Sequence, residues 1–395
     1  MFTRRLLVVL LLISANELFS QTKSNELDSI RVSYGGKGFQ FQTADDRFEL
    51  RLQSRFQFRF VSPYDRSPAT FEDLNKDPVN TFNIRRARLK VGGHAFKPWL
   101  KYYWEYELSS SFILDYRIMI EKWKGLNFKV GQWKLEYSRD RRISSGKQQL
   151  VDRALTNRQF TVDRQQGVEV YGHLEGNKAL NFNYWLAVLT GTGIGGRIND
   201  DENLMYFGRL QWNFLGRALG FVGSDLERRE KPEAIIAVAG VTNISPYTRF
   251  SSGGGGYLEG YNKADSGSFQ MNQANIETAF LYKGFSWQSE FHLKEIIDQN
   301  DIVSYNLMHG YYVQAGYFFH GLFDWWPKEL ELAARRAYYE PQKDLAITRE
   351  ETSVAVNWFF NGHRNKLTSE LSYFEFEEGT TDDSWRVRVQ WDISF

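Results

Sequence analysis

Residues 48–61 read FELRLQSRFQFRFV. The even positions (Phe48, Leu50, Leu52, Ser54, Phe56, Phe58 and Phe60) carry no charge, whereas the odd ones are Glu49, Arg51, Gln53, Arg55, Gln57, Arg59 and Val61. A repeat of two places the sets on opposite faces of an extended strand. The end of the chain, SWRVRVQWDISF over 384–395, does the same. Trp385, Val387, Val389, Trp391, Ile393 and Phe395 oppose Ser384, Arg386, Arg388, Gln390, Asp392 and Ser394. In residues 86–95, Ala87, Leu89, Val91 and Ala95 oppose Arg86, Arg88, Lys90 and His94.

A soluble sandwich also alternates, but these segments run 10–14 residues. Globular strands average ~5–6 residues, and ~9–11 suffice to cross a bilayer. Aromatics crowd the segment ends, as in Trp99 to Trp104, Trp325-Trp326 and Trp358-Phe359-Phe360, which suits interfacial girdles. Alternation marks about sixteen segments: 48–61, 82–96, 99–110, 113–122, 126–135, 166–175, 179–190, 203–215, 233–243, 274–283, 285–297, 307–320, 329–338, 352–361, 366–377 and 384–395. All eight prolines fall between them, as expected of a residue that cannot donate to a sheet ladder. Short links alternate with long ones, notably 62–81, 136–165 and 244–273, the asymmetry of an outer-membrane barrel. Two links break the rule: 109–112 is short where a long loop is due, and 216–232 is long where a turn is due. The fold expected is all-β, a transmembrane antiparallel barrel of about sixteen strands with its third external loop folded toward the lumen.

The whole-chain numbers fit that reading. Among 395 residues, 49 Lys+Arg against 48 Asp+Glu leave a net charge of +1, which argues against a nucleic-acid partner. The absence of Cys excludes thiol nucleophiles and Cys-ligated metals. No cofactor or metal motif is present. Residues 1–20 read as a signal peptide: Arg4 and Arg5, then the apolar run Leu6 to Ile13, then small and polar residues. Residues 21–47 are expected to form a periplasmic or lumenal segment, and 48–395 the barrel.

Sixteen strands enclose an aqueous lumen, so the polar faces become the pore lining. Closure sets the last strand beside the first. Their polar faces and that of the second strand form one wall bearing Arg51, Arg55, Arg59, Arg86, Arg88, Lys90, Arg386 and Arg388 against Glu49 and Asp392. From Arg51 to Arg59 the track runs about 26 Å at ~3.3 Å per residue. Guanidinium forks suit oxyanions. Arg85 falls on the lipid-facing parity and is expected to snorkel at the rim. Elsewhere Lys101 with Glu105 and Glu107, and Asp115 and Glu121 with Arg117, read as balanced ladders. The third long link carries Arg139, Arg141, Arg142, Lys147, Arg153, Arg158 and Arg164 against four acidic residues. Folded inward, it would narrow the pore opposite the wall.

These residues resemble the phosphate-selective porin O and P family of Gram-negative outer membranes. The resemblance is carried by Phe48 to Phe60, Ile84-Arg85-Arg86-Ala87-Arg88-Leu89, Lys129 to Lys134, the loop from Ser144-Ser145 to Asp163-Arg164, and Val354 to Asn361. It covers roughly 38–395. It implies a homotrimeric sixteen-stranded barrel in outer-membrane lipid whose third loop and inner wall present arginines and lysines to phosphate or pyrophosphate. The external loops depart from a basic funnel: 62–81 holds two basic and four acidic groups, 191–202 one and three, 378–383 none and three.

The function expected is a diffusion porin whose basic lumenal track favours small anions. The alternatives are a non-selective porin and a non-conducting scaffold barrel with 21–47 in the lumen. No catalytic site is expected, since the six histidines lie outside any hydrolase motif. His292, with Glu290 on the same strand face, is the only suggestive pair.

Overall fold

The computed structural model describes residues 29–395 apart from 37, 76, 178, 196–197, 200, 251–254, 262–268, 301–304 and 342–346. The expected signal peptide, 1–20, lies outside the described residues. Among the described residues, eighteen strands form one antiparallel sheet: β1 (Ile30–Gly35), β2 (Gly38–Thr43), β3 (Glu49–Ser62), β4 (Thr81–Ala95), β5 (Lys97–Glu107), β6 (Phe112–Ile120), β7 (Asn127–Lys134), β8 (Arg164–Glu175), β9 (Asn181–Leu189), β10 (Met205–Trp212), β11 (Glu233–Ser245), β12 (Phe269–Tyr282), β13 (Phe285–Asp298), β14 (Tyr305–Tyr317), β15 (Leu330–Glu340), β16 (Ile347–His363), β17 (Asn365–Glu378) and β18 (Thr381–Ser394). Each of β3 to β18 pairs with its neighbours in sequence, and β18 pairs with β3 from Val387–Ser62 to Ser394–Arg55, closing a sixteen-stranded barrel.

Every segment marked by alternation becomes one of these sixteen strands, with ends displaced by a few residues. Pro98 moves inside a strand, as the second residue of β5, where the β4–β5 turn leaves its missing donor harmless. At the β12–β13 turn, Lys283 and Gly284 both have positive φ, 46° and 82°, the geometry a two-residue hairpin needs. The outward face is apolar, with Phe56, Phe58, Ile118, Val168, Leu186, Ile276, Val354 and Trp391 all exposed.

One expectation about facing is corrected. Gln57 pairs with Arg86, but the next pair is Phe58 with Ile84. Arg85 is therefore the extra residue of a β-bulge, and a bulge resets the two-residue parity. Its guanidinium turns inward, 3.6 Å from Asp65 and 4.0 Å from Asp152, instead of snorkelling in the rim.

The lumen is also less open than its strand number suggests. The third loop, 135–163, crosses it and carries two single-turn helices, α1 (Arg139–Arg142) and α2 (Asn157–Phe160). Its Leu155 and Phe160 pack among lumenal Tyr312, Ala337, Tyr339, Phe374 and Phe376. Its Leu135, Tyr137 and Val162 pack with Phe250, in the link that follows β11, and with Phe207, Val241 and Met271 on the wall. The unexpectedly long link 213–232 turns up into the lumen from the opposite end. There Ser224 donates to Glu331 at 2.9 Å, and the Gly220 and Val222 carbonyls accept from Arg139. The hairpin β1–β2 lies on the wall beside β3, so these two strands of the N-terminal segment do not plug the pore.

Candidate functional site: the lumen and its constriction loop

The polar lumenal faces of β12, β13, β16 and β17 hold the loop by its backbone. Glu290 on β13 accepts from the amides of Arg139 and Asp140 and from the Ser138 hydroxyl, capping α1 from the wall. Glu370 on β17 accepts from the Val151 amide at 2.7 Å, and Glu351 on β16 from the Leu155 amide at 2.7 Å. Donors of the wall take the loop's carbonyls. Lys366 reaches Gln148 at 2.5 Å, Asn357 reaches Gln149 at 2.8 Å, Lys294 reaches Gln159 at 3.0 Å and Gln273 reaches Phe160 at 2.9 Å. A buried loop backbone needs such partners, and charge-assisted bonds are the strong ones.

The wall arginines separate into two groups. Arg55, Arg59, Arg386 and Arg388 are buried beneath the loop. Arg55 donates to Ser394 and Ser144, Arg59 to Gln390, Asp65 and the Val151 carbonyl, and both Arg386 and Arg388 face Glu370. Arg86, also buried, donates to Gln57 and stands 3.9 Å from Asp152. On the other side of the loop, Arg51, Arg88 and Lys90 line space that water reaches. The balanced ladder expected for Lys101 is rearranged. Glu105 and Glu107 both bind Arg88, at 2.8 and 2.7 Å, and Lys101 pairs with Glu121.

The loop's basic residues divide likewise. Arg139 is buried against Glu277 and the 213–232 link, and Arg153 braces the Asp140 and Ile143 carbonyls. Arg164 opens β8 and binds Asp115 at 2.5 Å. Arg141, Arg142, Lys147 and Arg158 keep exposed surface. Around the open side a cavity of about 390 Å³ is lined by Arg85, Arg86, Arg88, Glu107, Arg141 and Arg164, among others.

The ion pairs here are layered. Arg142 is 31 % exposed and its partner Glu136 3 %, Arg117 16 % and Asp115 6 %, Arg141 15 % and Asp163 3 %. In these three pairs the acid sits behind and the base faces the water, whereas Asp65 and Asp152, 25 % and 21 % exposed, stand in front of Arg59 and Arg86. Burial opposes the charge on Glu136, yet Lys129 and Arg142 pull its carboxyl down to about 2.

Glu290 and His292 do meet, at 3.2 Å, but both are buried, and Glu290 is engaged in capping the loop helix. Sequence reasoning picked out Glu290 only as a partner of His292, and it missed the wall carboxylates Glu331, Glu351 and Glu370. With Glu290 they occupy lumenal parity on β13, β15, β16 and β17, and acids facing an arginine-rich loop were the available signal. It also missed Phe221 of the 213–232 link, whose ring lies 5.2 to 5.7 Å from the guanidiniums of Arg209, Arg142 and Arg139.

A family model described as phosphate-selective porin O and P matches residues 56–382. No curated protein matches the sequence. Solved structures share the fold at low identity. An OmpT of Vibrio cholerae lacking loop L8 aligns with TM-score 0.58 and 11 % identity, covering 89 % of this chain and 100 % of its own. An anion-selective porin from Comamonas acidovorans aligns with TM-score 0.58 and 9 % identity over 88 % of this chain and 99 % of its own. The outer membrane channel DcaP of Acinetobacter baumannii aligns with TM-score 0.54 and 9 % identity over 90 % and 99 %.

Proposed function

Because the chain belongs to the phosphate-selective porin O and P family and is a porin of the Gram-negative outer membrane, we propose that it is a passive channel favouring small anions. The path runs between the constriction loop and the wall of β4 to β6. The observation that carries this reading is the layering of ion pairs along that path. Arg88, Arg117, Arg141 and Arg142 present their guanidiniums to water and keep Glu105, Glu107, Asp115, Asp163 and Glu136 behind them. A permeating anion meets the near charge before the far one, and a spaced series of weak sites supports conduction better than one deep site.

The buried set takes a different role. Arg55, Arg59, Arg386 and Arg388 hold the loop in place, so they shape the path without touching the solute. This shifts the anion-facing role away from the first and last strands and toward β4, β6 and the loop.

Reversal potential in a salt gradient across a planar bilayer tests the reading. Anion selectivity is expected in the wild type, reduced in Arg141→Gln. Cation selectivity would overturn it, and an inserted barrel with no conductance would favour a scaffold. Inhibition of chloride current by phosphate or pyrophosphate tests the finer preference that the family name suggests. The family resemblance also supports a homotrimer, which mass measurement in detergent counts directly.

A further inference from the structure

The barrel ring leaves a seam. β18 pairs with β3 only as far as Arg55, and Phe395 exchanges backbone hydrogen bonds with Ser54. Residues 49–52 of β3 extend past that point, and an unpaired edge there would leave amides and carbonyls without partners. The hairpin covers them. In β2, Phe39 stands opposite Leu52 and Gln42 opposite Glu49, and β1 folds back on β2 with Tyr34 opposite Phe39 and Val32 opposite Phe41.

The register gives the hairpin two faces that continue those of the barrel. Val32, Phe41 and Leu50 form one row and Tyr34, Phe39 and Leu52 the next, on the face that further up β3 carries Phe56 and Phe58. Arg31, Ser33, Gln40 and Gln42 lie on the other face, in line with lumenal Glu49 and Arg51. The apolar face is bare: Ile30, Val32, Tyr34 and Phe39 are 48–61 % exposed. Arg47 and Lys97 stand exposed at the same end of the barrel, and Phe48 packs against Phe96 at 5.3 Å. A bare apolar face in water is unfavourable. Aromatics beside basic residues are the composition of a membrane–water interface.

We infer that the β1–β2 hairpin is an interfacial anchor: its apolar face rests in the phospholipid headgroup region at the periplasmic rim and seals the seam between first and last strands. Its polar face looks toward water. The lipid is chosen over a second copy because the apolar rows are continuous with the barrel surface that already faces lipid. The inference rests on the outer-membrane location and is independent of any solute preference.

The chain has no cysteine, so single-cysteine variants of the whole protein label cleanly. Val32→Cys and Tyr34→Cys probe the apolar face, and Ser33→Cys and Gln40→Cys the polar one. Each is folded into phosphatidylethanolamine–phosphatidylglycerol vesicles, checked by its shifted mobility on unheated gels, and labelled with bimane. Lipids carrying a nitroxide near the headgroup are expected to quench probes at 32 and 34 severalfold more than those at 33 and 40. Equal quenching on both faces would overturn the inference. So would rapid labelling of all four positions by a water-soluble maleimide, which puts the hairpin in the periplasm. Protection of 32 and 34 from both lipid and water would overturn it in favour of a second copy. Should Tyr34→Cys fail to fold, Val32→Cys reads the same face.

Discussion

Arg86-Ala87-Arg88 on β4 and Arg386-Val387-Arg388 on β18 are nearly the same tripeptide at the same parity, on strands separated only by β3. Arg388 is fully buried, donating to Glu370 from beneath the constriction loop. Arg88 faces the open path, with Glu105 and Glu107 behind it. Two-residue periodicity tells which side chains point inward. What they meet inside depends on which arc of wall the loop covers. On the covered arc, polar residues serve as backbone partners for the loop. On the open arc they meet water and solute.

The largest expected effect breaks the covered side. Glu370 faces Arg386 and Arg388 and accepts the Val151 amide, all without solvent. Glu370→Gln leaves two buried guanidiniums short of their carboxylate, an injury worth about 3–5 kcal/mol. Urea unfolding in vesicles, followed by tryptophan fluorescence, should show that loss, and the freed loop should give larger, noisier channels. Glu107→Gln is the matched change on the open side, where Arg88 keeps Glu105 and some water. Glu107 is itself buried, but it serves one guanidinium that Glu105 still holds, so its loss should cost clearly less than that of Glu370. Equal costs for the two variants would erase the distinction.

Next comes Phe221, which supports the covered side from below. Its ring lies among three guanidiniums while Gly220 and Val222 accept from Arg139. Phe221→Ala should cost about 2 kcal/mol, from lost burial and from cation–π contacts worth ~0.5–1 kcal/mol each. It should also raise conductance, since the link then no longer holds the loop. Unchanged conductance with lowered stability would mean that the link packs without positioning.

Arg142→Gln works on the open side and acts mainly on selectivity. The group is partly exposed, so its charge is screened, and about 0.5 kcal/mol, or roughly a twofold fall in anion-to-cation permeability, is expected. A larger effect on stability than on reversal potential would move Arg142 to the bracing set.

The sequence carried the barrel because lipid enforces its rule on every strand. A charge on the outer face costs several kcal/mol at mid-membrane, so alternation stays legible from Phe48 to Phe395. Arg85 shows where that legibility stops. One extra residue in β4 inverts the facing, and no composition signal marks the bulge. The loop's inward path was readable from its length, yet its attachment was not. Glu290, Glu351 and Glu370 bind backbone amides, which look alike in every residue and leave no trace at the receiving end. The link 213–232 was visible only as a turn that was too long.

The smallest effect concerns one acid inside the loop. Asp140 is buried there, accepting from the Ala154 amide at 3.0 Å, with Arg335 and Arg153 lowering its pKa and Glu290 raising it. Burial prevails and pushes its carboxyl from the usual range up to about 6. Between that value and its unfolded value near 4, the folded protein holds a proton that the unfolded chain has released. This contribution is therefore fully present at low pH, declines as pH rises through the window, and is flat above it. Asp140→Asn keeps an oxygen for the Ala154 amide and removes the ionisation. The variant's stability relative to wild type should thus rise between about pH 4 and 6 and level off beyond. Urea midpoints at closely spaced pH values measure it. A difference constant across the window would mean that Asp140 ionises without penalty, and hence that water reaches the covered side of the loop.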